Sequence, residues 1–239
     1  MPPASKATPK AKQPGRTAQG DHRVRVAKIR RERMRARLLK SVMVVYPEGT
    51  DSSPAVIDDV VRHADVSRGT FYKYFDSLNQ AVEELGSQLA SEMTEGSNEL
   101  YYDLTDAPMR TATGFMTYLV RAFADHRWGA FLSHMGLLSG DNPMVRNIIE
   151  DIERGIATGD YSVTSPSAAS DVLIGAKVEA VRRIITGTED LAYIQAVTTM
   201  VLRSFGMPKV KSIRTVEKAF AQIMKQGPER LDWWMPIDS

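Results

Sequence analysis

Residues 57–75 read IDDVVRHADVSRGTFYKYF, and the rhythm of their apolar positions decides how the rest of the chain is understood. Ile57, Val60, Val61 and Ala64 recur at steps of three and four, so they share one face of a helix. Asp51-Ser52-Ser53-Pro54 offers a capping side chain and a proline suited to a first turn, which predicts that this helix begins there and stops around Asp65. After a tight turn, Ser67 stands as the N-cap of a short helix over residues 68–75. Phe71, Tyr74 and Phe75 fall on one side of it, Gly69, Thr70 and Lys73 on the other, and Tyr72 on the flank. Val60, Ala64, Val66 and Phe71 are placed to hold the pair together at a large angle, as in a helix-turn-helix.

The outward side of such a unit is small, polar and basic, which suits a DNA major groove. Gly69 permits close backbone approach, Thr70 can reach a base edge or phosphate, and Tyr72 and Lys73 can donate to phosphates. The positive end of the helix after Ser67 points the same way. Ser67, Arg68, Gly69, Thr70, Tyr72 and Lys73 are therefore the candidate DNA-binding residues, and double-stranded DNA is the expected partner.

Charge agrees with this independently. The 239-residue chain has a net charge of +2, yet residues 1–37 hold 12 Lys and Arg against Asp21 and Glu32, while the remainder holds 19 basic and 27 acidic groups. A local +10 attracts a polyanion, and the acidic remainder avoids one. Residues 1–22, MPPASKATPKAKQPGRTAQGDH, lack aliphatic side chains beyond alanine and Met1 and are expected to form a disordered basic arm. From Val24 a helix is expected, with Ala36, Leu39, Met43 and Tyr46 on one face and a stop near Pro47-Glu48-Gly49.

From about Arg37 to Leu85 the sequence resembles the tetracycline-repressor (TetR) family. The likeness is carried by Leu38-Leu39, Tyr46-x-x-Gly49, Ile57 to Val61, Ala64, Ala81-Val82 and above all VSRGTFYKYF at 66–75. Three positions depart from the family pattern: Val61 in place of the usual alanine, Asp65 in place of a turn glycine, and Leu78 in place of a frequent phosphate-contacting lysine. Aspartate is among the few residues that visit left-handed backbone angles, so the turn can tolerate it. The resemblance implies a homodimer whose N-terminal unit reads DNA and whose C-terminal domain pairs the protomers and takes a small effector that releases the operator, most often as a repressor.

Beyond residue 76 a long helix is expected from about Leu78 to Tyr102. Further helices follow over roughly 109–125, 127–138, 142–158, 167–187, 191–206 and 212–226, separated by Gly and Pro breaks. Strand signals are nearly absent, so the expected class is all-α, a three-helix helix-turn-helix unit over 23–76 followed by a larger helical bundle for effector binding and dimerisation over 77–239. Ile174, Val178, Val181 and Ile185, with Val197 and Val201 of the next helix, have the spacing of a helical dimer face, which is also where the family resemblance places it.

Aromatic and methionine side chains line adaptable apolar cavities, which directs attention to Tyr101, Phe115, Tyr118, Leu119, Phe123, Trp128, Phe131 and Met135 as candidate ligand-binding residues. Arg121 and His134 are the polar candidates beside them. The absence of cysteine removes disulfides, thiolate metal sites and cysteine nucleophiles. No HExxH, GxSxG, Walker loop or GxGxxG occurs, and His22, His63, His126 and His134 lack metal-ligand spacing, so no enzyme, metal or cofactor is expected. No stretch has the roughly 20 apolar residues of a membrane span, and no apolar leader follows the N-terminus, which predicts a cytoplasmic protein. Two alternatives keep less of the sequence in view: the same DNA-binding unit governed by a protein partner, or a helical enzyme.

Overall fold

The computed structural model describes residues 16–48, 53–101, 103–135, 143–187 and 189–237. Among the described residues ten α-helices follow one another: α1 (Arg16–Val45), α2 (Ile57–His63), α3 (Arg68–Phe71), α4 (Leu78–Tyr101), α5 (Ala107–Ala124), α6 (His126–Met135), α7 (Pro143–Ala157), α8 (Pro166–Ile185), α9 (Leu191–Ser204) and α10 (Lys209–Arg230). A single 3-10 turn, Tyr46–Glu48, closes α1, and there is no β-strand among the described residues. The all-α class with an N-terminal helix-turn-helix unit and a larger bundle is what the residue periodicities predict. Among the described residues, no helix is long and apolar enough to cross a membrane.

The first helix begins earlier than its residue pattern suggests. Arg16–His22, expected at the end of a disordered arm, open α1. Pro2, Pro3, Pro9 and Pro14 all precede Arg16, and no further proline interrupts the chain until Pro47, so nothing removes a backbone donor over this stretch. Residues 1–15 of the arm lie outside the described residues. The buried face of α1 is also rotated from the expected one: Leu38, Leu39, Val42 and Val45 are buried, Met43 and Tyr46 are half-buried, and Ala36 is exposed. This helix is covered by α2 and α4 on one side and by α6 on another, which widens the arc it buries.

The start of α2 is a second correction. Asp51 and Ser52 lie outside the described residues, and Ser53 and Pro54 precede the helix without capping it. Ile57 is the first helical residue, after an extended Val56 whose N–H donates to the Asp59 carboxylate at 3.1 Å. That third-residue acid satisfies a donor the helix leaves free, and it lies with Asp58 at the positive end of the helix dipole.

The core is continuous, running from Leu38, Phe71 and Phe75 through Ala81 and Val82 into the bundle. At its centre lies α5, capped by Asp106, whose carboxylate accepts from Met109 N at 2.8 Å. Ala112, Phe115, Met116, Leu119 and Val120 bury one set of faces and Thr111, Thr113 and Thr117 another, so α5 is enclosed nearly all round. Helices α4, α6, α7, α8, α9 and α10 pack around it.

Two of the glycines sit where neighbouring parts leave no room for a side chain. A Cβ on Gly155 of α7 would overlap the ring of Tyr161, and one on Gly129 of α6 would lie 2.9 Å from Ile185 Cγ2 of α8.

Candidate functional site

The helix-turn-helix corner is built from short-range signals. Val60, Val61 and Ala64 are buried on α2, Phe71 and Phe75 are buried on the following segment, and Val66 is half-buried between them. Asp65 adopts φ +49°, the left-handed conformation, and is the one non-glycine residue with positive φ among those described. It occupies the turn without a glycine because a short carboxylate side chain crowds this conformation less than a β-branched one. Arg37 of α1 approaches it from the side, 3.7 Å from Oδ2.

Ser67 is the N-cap of α3, its Oγ accepting from Thr70 N at 3.1 Å and lying 3.0 Å from Thr70 Oγ1. Regular α geometry ends at Phe71, four residues earlier than expected, although Phe75 N still bonds to Phe71 O at 3.1 Å. Gly69, Tyr72 and Lys73 are exposed and Thr70 is half-buried, all at the outer side of the corner. Arg68, also exposed, is 3.2 Å from Asp58 of α2, so part of its charge is met within the unit. The basic side chains Arg23, Arg25, Lys28, Arg30, Arg31 and Arg33 continue along α1 as an exposed row.

The second candidate site is an interior cavity of about 50 Å³ among α4, α5, α7 and α8. Its apolar wall is Met93, Phe115, Tyr118, Met144, Ile148 and Leu173. Its polar groups are Thr94, Thr111, Asn147, Lys177 and the pair Arg110–Asp151, joined from Nε to Oδ1 at 2.6 Å. Burial pushes the Asp151 carboxyl up from its ordinary range, opposed by the Arg110 guanidinium. At one edge Tyr161 donates from its hydroxyl to Thr111 Oγ1 at 2.9 Å.

Of the sequence-derived ligand candidates, the fold brings Phe115 and Tyr118 to this cavity and places Leu119, Arg121, Phe123, Trp128 and Phe131 elsewhere. Trp128 packs against Tyr118 with ring centroids 4.9 Å apart, and the Arg121 guanidinium is held between Trp128 at 4.7 Å and Trp233 at 5.3 Å while donating to Glu92 at 2.8 Å. Phe131 is fully buried against Tyr46, 5.9 Å between ring centroids, and so joins α6 to the end of the first helix. Leu119 is fully buried in the core and Phe123 is half-buried against it. The side chains of Tyr101, His134 and Met135 lie outside the described residues.

Sequence reasoning missed Lys177, Arg110, Asp151 and Asn147. A signal for Lys177 was present: Leu173, Ala180 and Ile184 form an apolar ridge, and Lys177 is the charged residue one turn after Leu173 on the same side. Asp151 likewise stands in an apolar run with Ile148 and Ile152.

The residues proposed for a dimer face divide in two. Val181 and Val201 are buried within the chain, at 2% and 4% exposure, and have little surface to offer a partner. Ile174, Ile185 and Val197 are half-buried against the core, whereas Val178 is 44% exposed. Val172 of α8 and Met200 of α9, which the periodicity did not single out, are also exposed.

No family model matches the chain, and no curated protein does. Solved structures do. RolR in complex with the ligand resorcinol is 20% identical, with 80% of this chain and 96% of that chain covered and a TM-score of 0.57. A gamma-butyrolactone receptor (ArpA-like protein) is 13% identical over 82% of this chain and 99% of that one, at a TM-score of 0.61. Tylp, a TetR regulator from Streptomyces fradiae, is 13% identical over 81% and 97%, at 0.55. At these identities the likeness is one of architecture: the chain has the fold of the TetR-family transcription regulators.

Proposed function

We propose that this chain is a cytoplasmic DNA-binding transcription regulator of the TetR family, acting as a homodimer. In this reading it is a repressor, released from its operator by a small apolar or amphipathic effector held in the C-terminal domain. The observation that carries the reading is the outer side of α3 and the turn after it, where Gly69, Tyr72 and Lys73 are exposed and Thr70 is half-buried behind a helix N-terminus capped by Ser67. Thr70 is placed for base readout, and Tyr72, Lys73 and the basic row of α1 for phosphates. The dimer face runs over the exposed side of α8 and α9, with Val172, Val178 and Met200 as its apolar anchors. Gly175, where an added Cβ would meet nothing within 4 Å, leaves room there for close helix approach.

The effector site is the cavity of α4, α5, α7 and α8. Its present volume of about 50 Å³ is below the range of roughly 300–1,000 Å³ typical of small-molecule sites, so effector entry requires the lining helices to move apart. That movement is the means by which occupancy would reach α1 and the reading unit. The gamma-butyrolactone receptor and resorcinol-bound RolR support a small effector for this fold.

Selection of random double-stranded oligonucleotides with the full chain tests the reading. The expected product is an inverted repeat with half-sites separated by about one helical turn, roughly 10 base pairs, or a multiple of it. Recovery of unenriched sequences would overturn it.

A further inference from the structure

Lys177 projects from the middle of α8 into the cavity, with only 3% of the residue exposed. Its Nζ lies 4.8 Å from the centroid of Tyr118 and 5.8 Å from that of Phe115. Among the described residues no hydrogen bond or ion pair reaches this nitrogen. The nearby carboxylate of Asp151 is already taken by Arg110, and burial alone accounts for the displacement of the lysine's proton affinity, with no anion acting on it. Removing an ammonium from water without a counter-ion costs several kcal/mol by rough reckoning, and two ring faces return only part of that. A leucine or methionine would continue the ridge of Leu173, Ala180 and Ile184 at no such cost.

We infer that Lys177 is the counter-ion for a small carboxylic acid with an apolar body, the carboxylate seated on its ammonium and the body against Phe115, Met93, Ile148 and Leu173. This rests on the effector reading of the cavity and names the chemical class of the effector. The second polar cluster, Arg110–Asp151 with Asn147, lines the same cavity and is available to a hydroxyl or carbonyl on the body. A carboxylate supplies the partner that none of the described residues offers Lys177. A neutral ligand of equal shape leaves the ammonium buried and unpaired, so charge rather than shape is the discriminating property.

The test uses matched acid and amide pairs, benzoate with benzamide and hexanoate with hexanamide, against the full-length protein by thermal shift and calorimetry. The expected result is that at least one carboxylate binds and raises the melting temperature, while its amide binds about tenfold more weakly or not at all. Lys177→Met should erase the difference between acid and amide, and Lys177→Arg should keep it. Equal binding of acid and amide, no binding by any carboxylate, or undiminished carboxylate binding by Lys177→Met would each overturn the inference. Operator selection with the wild-type chain is a separate readout: its failure counts against the regulator reading, and its success beside a negative ligand result counts against the carboxylate alone.

Discussion

Arg35 of α1 and Glu84 of α4 form a two-pronged ion pair, one prong running from Nε to Oε1 at 2.6 Å. The same guanidinium donates from Nη1 to the carbonyl of Tyr74 at 3.0 Å and lies 4.5 Å from the centre of the Phe75 ring. One side chain thus ties the first helix, the end of the segment that follows α3 and the first helix of the bundle together. Both partners are about a quarter to a third exposed, so the pair is shielded from solvent better than a surface bridge. Arg35→Ala should lower stability by about 2 kcal/mol in urea denaturation and weaken operator binding more than any equally distant surface change. An Arg35→Ala protein with unchanged stability and affinity would remove this role.

On the reading face, Lys73→Ala and Tyr72→Phe should weaken binding to all DNA sequences alike. The lysine change should also reduce the slope of log affinity against log salt by about one. Thr70→Ala should shift the selected consensus instead. It also removes the hydroxyl that lies 3.0 Å from Ser67 Oγ, so circular dichroism should accompany it to separate lost readout from lost capping. Reversed outcomes for Thr70 and Lys73 would exchange their assignments.

The exposure difference on α8 gives a paired experiment. Val178→Glu, at an exposed position, should leave a folded chain that sediments as a monomer and loses operator affinity. Val181→Glu, at 2% exposure, should unfold the protomer itself, because it places an unpaired carboxylate in the core. A Val178→Glu protein that remains dimeric would move the interface away from this face.

Gly155 has no room for a side chain, since its added Cβ would overlap the Tyr161 ring. Gly155→Ala should therefore destabilise the fold by about 1–3 kcal/mol, the usual range for overpacking, although alanine is the better helix former. Tyr161→Phe, which deletes only the 2.9 Å bond to Thr111, should cost about 1 kcal/mol. Thermal unfolding of both variants at one protein concentration checks the order.

Burial pushes the Lys177 ammonium down from its ordinary 10.5 to about 8. Below that pH the group is charged in both states, and the cost of burying it is present in full. Between about 8 and 10.5 the folded chain releases the proton while the unfolded chain keeps it, so the unfolded state binds more protons and stability rises with pH. Burial holds the phenols of Tyr118 and Tyr161 protonated above their ordinary range, which pulls stability down again once the unfolded tyrosines ionise near pH 10. The rise is therefore visible between about pH 8 and 10. Lys177→Met should remove it and be the more stable protein at pH 7, by on the order of 3 kcal/mol at most. A wild-type stability profile that is flat across this window would show that solvent reaches Lys177.

The basic segment ahead of the α1 row should add affinity without specificity. Deleting residues 1–22 removes Lys6, Lys10, Lys12 and Arg16 and leaves Leu38 and the core behind it untouched. The truncated protein should melt at nearly the same temperature, bind its operator more weakly and show a shallower salt dependence. Identical salt slopes for the two proteins would assign the segment no part in DNA binding.

What the sequence by itself determined lies within a few residues along the chain. The capping of α3 by Ser67, the left-handed turn at Asp65, the inward Val60, Val61 and Ala64, and the order of the later helices all follow from hydrogen bonds and periodicities of three or four residues. At the start of α2, Asp59 of the first turn accepts from Val56 N–H, while Ser53 and Pro54 only precede the helix. Only the tertiary structure decided which apolar and charged side chains share a space. Phe131 and Phe115 have the same sequence character, yet one is spent against Tyr46 and the other lines the cavity. Val178 and Val181 are three residues apart on one helix, yet one is exposed and the other buried. Lys177 comes to lie beside Tyr118, with no ion-pair partner among the described residues, because α5, α7 and α8 meet around it, and periodicity within one helix carries no information about what the neighbouring helices bring to the same point.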